Sequence, residues 1–262
     1  MLETFGLCLL FGGFAGILAG MFGIGGGMVL VPFFVWLFNR QGVAAELNMI
    51  MAVATSLATI IVTAAAAIVA HHRRGAVLWD IVAYLAPTVF AGAVLGSLIA
   101  EYLPAVMLKT IFACFLIYAA LQMAFHFQPG ARDLQRNPLL LRTAGMAIGV
   151  ISAILGIGGG TLTAPFLTRC RFPIRNAVAI ASTCGLPIAI AGTLGYILLG
   201  WNKTGLPAGS AGYVYLPAFF GIVITSSLLA PVGAMLAQSL PTLALKRYFS
   251  VLLLVAAIKL LW

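Results

Sequence analysis

Charged residues are scarce in this chain, and acidic residues are the scarcest. Only 7% of its 262 residues are charged, with 5 Asp and Glu against 14 Lys and Arg. Soluble domains carry about 25% charged residues, so the composition excludes an ordinary soluble domain. The longest polar stretch, residues 127–141, is also far shorter than the ~50 residues of a small domain. With 63% of its residues hydrophobic, the chain is expected to be an integral membrane protein.

Cysteine pairs and metal-binding clusters are missing from the sequence as well. The 4 cysteines are scattered and form no C-x-x-C pair, so we expect buried apolar thiols rather than disulfides or metal ligands. We predict no metal and no cofactor. The N-terminus has no basic n-region, and no small-residue cleavage site follows its apolar run, which argues against a cleaved signal peptide.

The distribution of charge excludes several functions. A net charge of +9 can indicate a nucleic-acid partner, but the chain has no basic helix and no basic-aromatic interleaving. No acidic residue or histidine lies in the middle of an apolar segment, so we predict neither a proton relay nor an enzyme active site. These residues, all at segment ends or loop edges, are Glu3, Glu46, Asp80, Glu101, Asp133, His71, His72 and His126.

The apolar segments fall into two sets of five that match in order. They cover 5–21, 28–38, 48–70, 81–101 and 105–126, then 142–155, 161–168, 177–200, 212–237 and 243–261. Residues 52–56 resemble residues 179–183, which supports an internal repeat. We therefore predict a first transmembrane repeat over 1–126, a cytoplasmic linker over 127–141 and a second transmembrane repeat over 142–262.

A glycine motif occurs once in each half. Residues 23–27 read Gly-Ile-Gly-Gly-Gly and precede Pro32, and residues 156–160 repeat the same letters before Pro165. Glycine clusters break helices, and a broken helix within lipid is tolerated only beside protein or a water-filled cavity. Matching breaks in two halves are a pointer to the binding site of a transporter.

The segment after each motif is too short to cross a membrane. Segments 28–38 and 161–168 fall well below the ~20 residues that a ~30 Å hydrocarbon core requires. Each glycine element is therefore predicted to be a hairpin that enters the membrane, breaks and returns. The predicted fold is an all-α polytopic membrane protein with two inverted repeats, each a broken-helix (re-entrant) hairpin plus three transmembrane helices.

The basic residues favour this topology. With hairpins, one face holds most of the 14 Lys and Arg, whereas single crossings would divide them evenly. That face would hold Arg73, Arg74, Arg132, Arg136, Arg142, Arg169, Arg171, Arg175, Lys246 and Arg247. By the positive-inside rule this face is cytoplasmic, so both termini are predicted to be extracytoplasmic.

The predicted site is made by the two short helices that follow the glycines. Helix N-termini offer unpaired N–H groups and partial positive charge, which suit an anion where no cation is buried. Hydroxyls at mid-segment positions can donate to the same anion or bond back to their own helix. The predicted binding residues are Gly25, Gly26, Gly27, Gly158, Gly159, Gly160, Thr161, Thr55, Ser56, Ser182 and Thr183. Helix breaks are predicted at Gly23, Pro32, Gly156, Pro165 and Pro187.

Other small or polar residues have structural interpretations. Gly12, Gly16, Gly20, Gly92 and Gly96 have the small-xxx-small spacing that is typical of close helix packing. Asn48 lies near the start of a helix, where we expect it to cap the backbone.

The doubled motif, with Ala54-Thr55-Ser56 and Ala181-Ser182-Thr183 downstream, resembles the TauE/SafE family of sulfite exporters. This family is also called the toluene sulfonate uptake permease family. The resemblance extends from about residue 6 to residue 260. It implies an inner-membrane permease for a sulfur-containing anion such as sulfite, sulfoacetate or another organosulfonate.

Two alternatives stay open at this stage. An anion channel, or a transporter of a non-sulfur organic anion, could use the same scaffold. An intramembrane enzyme is disfavoured, because the apolar segments hold no catalytic pair. The expected partners are a small anionic substrate and the lipid bilayer, with a homodimer as a further candidate.

Overall fold

Helices make up nearly all of the described chain. The computed structural model describes residues 2–22, 26–125, 138–239 and 242–261. Its helices are α1 Leu2–Phe22, α2 Gly27–Arg40, α3 Ala45–Arg73, α4 Trp79–Tyr102, α5 Ala105–Phe125, α6 Pro138–Leu155, α7 Gly160–Arg169, α8 Ile174–Gly200, α9 Leu216–Ser239 and α10 Thr242–Leu261. Strands β1 Ser210–Ala211 and β2 Val214–Tyr215 pair antiparallel between α8 and α9.

Five of these helices are long and apolar enough to cross a membrane, judged by length and composition within the described residues. They lie in α3, α4, α5, α6 and α8. Shorter apolar stretches occur at Thr4–Ala19, Gly27–Arg40 and Leu216–Ala230. The expectation of an all-helical, multi-pass membrane protein is therefore confirmed.

Helices α1 and α2 run in opposite directions. The Gln41 side-chain amide donates to Thr4 Oγ1 at 3.0 Å, so the end of α2 lies beside the start of α1. Further in, the rings of Phe11 and Phe33 stack with their centroids 3.8 Å apart. Helix α2 therefore returns to the face from which α1 begins. We call this the terminal face.

Helices α3 and α8 cross the centre of the molecule in opposite directions. They pack closely where Gly192 faces α3: a Cβ on Gly192 would lie 2.7 Å from Leu57 Cδ1. At one end of the pair, Asn176 Nδ2 donates to Ala76 O at 2.9 Å. The end of α3 and the start of α8 thus share the face opposite the terminal face. We call it the arginine face, defined by residues 71–78 and 169–176.

Helices α4 and α6 run in the same direction, as do α1 and α9. A Cβ on Gly96 would lie 2.5 Å from Val150 O, and one on Gly16 would lie 2.5 Å from Ser226 Cα. Gly12 and Gly92 approach the same partner helices, so the packing interpretation of these four glycines is confirmed. Side-chain space at Gly20 lies outside the described residues.

The second short helix returns to the arginine face. Helix α6 begins on that face beside the start of α4, and it ends in the interior at Leu155. Helix α7 then begins at Gly160 and ends at Arg169, a few residues before α8 starts on the arginine face. The two glycine elements therefore enter the molecule from opposite faces.

Two element boundaries differ from the sequence prediction. Helix α6 begins at Pro138, inside the predicted linker 127–141, because proline is favoured in the first turn of a helix. Residues 127–137 lie outside the described part of the chain. The predicted segment 212–237 begins as the β-ribbon, where Gly212 has φ +55° and turns the backbone. Gly212 is the first of the two residues that connect β1 to β2, and glycine is favoured at this position of a two-residue hairpin loop.

Candidate functional site

The two glycine motifs touch each other inside the molecule. A Cβ on Gly27, at the start of α2, would lie 2.7 Å from Gly156 O and 3.0 Å from Ile157 Cα. These distances leave no room for a side chain, so two elements from opposite halves are in backbone contact. Two other predicted residues of the first motif, Gly23 and Gly25, lie outside the described residues.

Glycine is required by conformation as well as by space. Gly26 has φ +75° and Gly156 has φ +66°, a left-handed region that residues with a side chain rarely adopt. A Cβ on Gly156 would also lie 2.9 Å from Val53 Cα on α3. Helix α6 ends at Leu155 and α2 begins at Gly27, so both left-handed glycines stand at helix termini.

Both short helices begin without a side-chain cap. The residues before them are Gly26 and Gly159, which have no side chain that could accept a hydrogen bond from the first turn. The first N–H groups of a helix have no intrahelical carbonyl to bind, and in α7 the first amide to reach one is that of Thr163, bonded to Gly159 O at 2.8 Å. The amides of Gly160 and Thr161 precede it. In α2 the first bonded amide is that of Val29, which donates to Gly26 O at 3.0 Å. Among the described residues, amides that precede these bonds therefore lie at the starts of both α2 and α7.

Gly158 and Gly159 of the second motif pack against α3 and α8, respectively. A Cβ on Gly158 would lie 3.4 Å from Ile60 Cγ2, and one on Gly159 would lie 2.9 Å from Ala181 O. Around Gly27, Gly156, Gly158 and Gly159 the nearest atoms belong to backbone or to aliphatic side chains. The electrostatics of the site therefore come from peptide dipoles rather than from charged side chains.

Two predicted hydroxyls on α3 bond across the interface between the halves. Ser56 Oγ donates to Gly156 O at 2.8 Å, which ties α3 to the second glycine motif. Thr55 Oγ1 accepts a hydrogen bond from the backbone N–H of Tyr215 at 3.1 Å. Both threonine and serine are fully buried. Their roles in this structure are to satisfy backbone groups of the other half.

The predicted hydroxyls of the second half bond locally or stand partly open. Thr183 Oγ1 donates to Ala179 O at 2.8 Å. This is a bond to its own helix, which is the alternative to donating to an anion. Thr161 Oγ1 donates weakly to Gly158 O at 3.4 Å. Ser182 is partly exposed on α8. The structure thus places Ser56, and not the second-half pair, directly on a glycine motif.

The prediction that three prolines break helices is wrong. Pro32, Pro165 and Pro187 lie inside α2, α7 and α8, which continue through them. A proline removes one helical N–H and disfavours, but does not forbid, a continuing helix when neighbours hold the chain. Neighbouring helices pack on these segments, so the chain turns at the glycines instead.

Ile60 was missed by the sequence interpretation. Its side chain lies between the two motifs, with Cδ1 3.3 Å from a Cβ on Gly27 and Cγ2 3.4 Å from one on Gly158. Ile60 follows Ser56 by four residues and so shares its helix face, which is a signal that could have identified it. Asn48 was also misassigned, because its side-chain amide donates to Val35 O at 3.2 Å instead of capping α3.

The fold and the site together define a class of protein. Several membrane-length helices surround two helices that begin at glycines in the interior, an arrangement typical of secondary transporters. The family model described as "Sulfite exporter TauE/SafE" matches residues 8–260. The chain belongs to that family, and it is a membrane transporter.

Related proteins carry the same general description. The chain is 38% identical over 253 residues to a Haemophilus influenzae protein named "Probable membrane transporter protein", with 96% of each chain covered. It is 29% identical over 232 residues to a similarly named Methanocaldococcus jannaschii protein, covering 86% of this chain and 81% of the relative. No solved structure matches the chain.

Proposed function

We propose that this chain moves a small sulfur-containing anion, such as sulfite, sulfoacetate or another organosulfonate, across the inner membrane by alternating access. The observation that carries the proposal is the contact between Gly27, the first residue of α2, and Gly156, four residues before the start of α7, which brings the two glycine motifs together. Peptide N–H groups at helix N-termini bind oxyanions without a buried cation. The family description supports a sulfur oxyanion as cargo.

The mechanism we propose uses the two halves as inverted repeats that rock about the central glycines. Exchanging the halves turns the α1–α9 pair into the α6–α4 pair, and both pairs run parallel and pack closely. The opposite entry of the two glycine elements supports the inversion. In such transporters the halves move as bodies around a fixed site. The basic residues of the arginine face support its placement in the cytoplasm.

Thermal unfolding in mild detergent tests the site and its ligand together. Sulfite, thiosulfate, sulfate, sulfoacetate, taurine and chloride would be compared. A ligand of the folded state at 100 times its Kd adds about 2.7 kcal/mol to the free energy of unfolding. We expect one or two sulfur anions to raise Tm, and we expect Gly26→Leu to abolish the shift because the left-handed backbone excludes leucine.

A matched control is Gly6→Leu, where an added Cβ meets nothing within 4 Å. This variant is expected to keep the anion-dependent shift. A shift that survives Gly26→Leu would refute the glycine site, and a shift with non-sulfur anions alone would refute the proposed cargo. Counterflow of labelled substrate in liposomes would then separate a carrier from a channel. A carrier takes up labelled substrate in exchange for unlabelled substrate inside the liposome, whereas an open channel does not couple the two movements.

A further inference from the structure

The loop between α8 and α9 is much longer than the corresponding loop of the other half and contains the β-ribbon. It spans 201–215, whereas the loop between α3 and α4 in the other half spans only 74–78. Its β-ribbon is attached to α8: a Cβ on Gly212 would lie 2.3 Å from Ile197 O, and Tyr213 N–H donates to Tyr196 O at 3.3 Å. The 201–215 loop therefore moves with α8 and the second half.

The tip of this loop is buried against the first half. The Tyr213 and Tyr215 side chains are 1% and 4% exposed. The ring of Tyr215 meets Phe38 of α2 edge-on at 5.7 Å, and its backbone N–H binds Thr55 of α3. Thr55 directly precedes Ser56, which holds the second glycine motif. On the terminal-face side, the loop thus packs over Thr55, one residue from the serine that bonds to the second glycine motif.

A second attachment joins the loop to the end of α4. Lys203 Nζ lies 2.8 Å from Glu101 Oε1, and Tyr213 OH donates to the same oxygen at 3.0 Å. Hydrogen bonding to Glu101 raises the pKa of Lys203, and burial, with Glu101 nearby, raises the pKa of Tyr213 to about 12. Both donors therefore keep their protons at neutral pH.

The carboxylate of Glu101 is only half satisfied. Its Oε2 is buried and has no hydrogen-bond partner among the described residues. A buried acceptor without a partner offsets part of the stabilisation that the other oxygen gains. The attachment is therefore weaker than one in which both carboxylate oxygens are paired.

We propose that the 201–215 loop is the gate of the terminal face and that Glu101, with Lys203 and Tyr213, is its latch. The inference rests on the proposed alternating access, since it assigns the contacts that must separate when the halves move. The loop's contacts with α8 form a first set, which lies within the second half. Its contacts with Thr55, Phe38 and Glu101 form a second set, which crosses between the halves. Opening the terminal face requires the second set to break.

Cysteine accessibility tests the gate in purified, detergent-solubilised protein. The four native cysteines would be replaced by alanine or serine and one reporter introduced at Ala58, which is 3% exposed and one turn from Thr55 toward the glycines. Releasing the latch with Glu101→Gln and Tyr213→Phe should raise the rate of maleimide labelling at position 58 about tenfold. Losing a charge-assisted hydrogen bond is expected to shift the equilibrium between the closed and the open loop by about this factor. The Tyr213→Phe ring keeps its packing.

Lys203→Gln is a second variant with little risk to folding, because its side chain is 49% exposed. It should also raise labelling at position 58. A control reporter at Val69, exposed on the arginine side of α3, should label at the same rate in every background. Unchanged labelling at position 58, or equal acceleration at both reporters, would overturn the gate.

The labelling assay needs no substrate, so it separates the two proposals. Faster labelling at position 58 without any anion-dependent Tm shift would keep the gate and refute the anion site. An anion-dependent shift with no effect of the latch variants would do the reverse.

Discussion

At the scale of single residues, backbone contact explains why glycine occupies both motifs. Gly27 has no space for a Cβ beside Gly156, and Gly156 combines a left-handed backbone with contact to α3 at Val53. Any larger residue must push two backbones apart. The amides at the starts of α2 and α7 lie beside that close contact, so helix packing and the proposed anion site make the same demand on these positions.

Gly27→Ala should therefore destabilise the protein. The new methyl group would meet backbone atoms of Gly156 and Ile157, which cannot move aside like the end of a flexible side chain. Overpacking of this kind costs about 1–3 kcal/mol. Thermal unfolding in detergent would measure the loss, with Gly6→Ala as the control that fills open space. Equal stability of the two variants would contradict the contact.

Residue identity indicated the candidate site only in part. The glycine motifs could be found because glycine is the one residue that permits both the left-handed turn and the close contact. The partners of the hydroxyls could not be predicted, since a Thr or Ser bonds to its own helix or across an interface according to its neighbours. Thr183 does the first and Ser56 the second.

At the scale of elements, the pairing of α1 with α2 makes a topology that can be tested chemically. Thr4 lies near the start of α1 and Gln41 directly follows the end of α2, and the two side chains are hydrogen bonded at the terminal face. Cysteines at these two positions should be joined by a short bifunctional thiol reagent. Thr4→Cys combined with Arg73→Cys, on the arginine face, should not. Cross-linking of the second pair within one molecule would contradict the hairpin.

The attachment of the loop to α4 should respond to alkaline pH. A group whose pKa is raised by folding keeps its proton in the folded protein at pH values where the unfolded chain has lost it. Its stabilisation is therefore complete below the ordinary pKa and is lost as the pH rises from the ordinary pKa through the raised one. For Tyr213 the window runs from pH 10 to about 12, and for Lys203 it begins near 10.5. Tm should fall less in Tyr213→Phe than in the unmodified protein between pH 10 and 11.5. An identical fall would show that Tyr213 does not contribute.

Most helices could be predicted from apolar length, because a helix is the natural spanning element when water is absent. The β-ribbon could not, since the apolar run from 212 to 237 has no polar break to separate strand from helix. The glycines at 205, 209 and 212, all with positive φ, mark the irregular stretch. The prolines misled the prediction because tertiary packing outweighs a single lost N–H group.

At the scale of the whole molecule, charge and contacts agree on two distinct faces. Residues 71–75 and 169–176 of the arginine face include five arginines, while the terminal face displays the 201–215 loop. In intact cells an impermeant maleimide should label Asn202→Cys, on the exposed part of that loop, and leave Arg73→Cys unlabelled until the membrane is permeabilised. The opposite result would invert the proposed orientation.

The parallel pairs α1–α9 and α4–α6 also bear on how the chain assembles. Each pair joins one helix from either half, so neither half buries its own glycine-lined surfaces. During synthesis α1 cannot reach its partner until α9, about 200 residues later in the chain, has been made. Contacts this distant in sequence form late and slowly. Each half therefore needs the other to bury these surfaces, and two half-chains expressed separately should recover the fold by associating in the membrane.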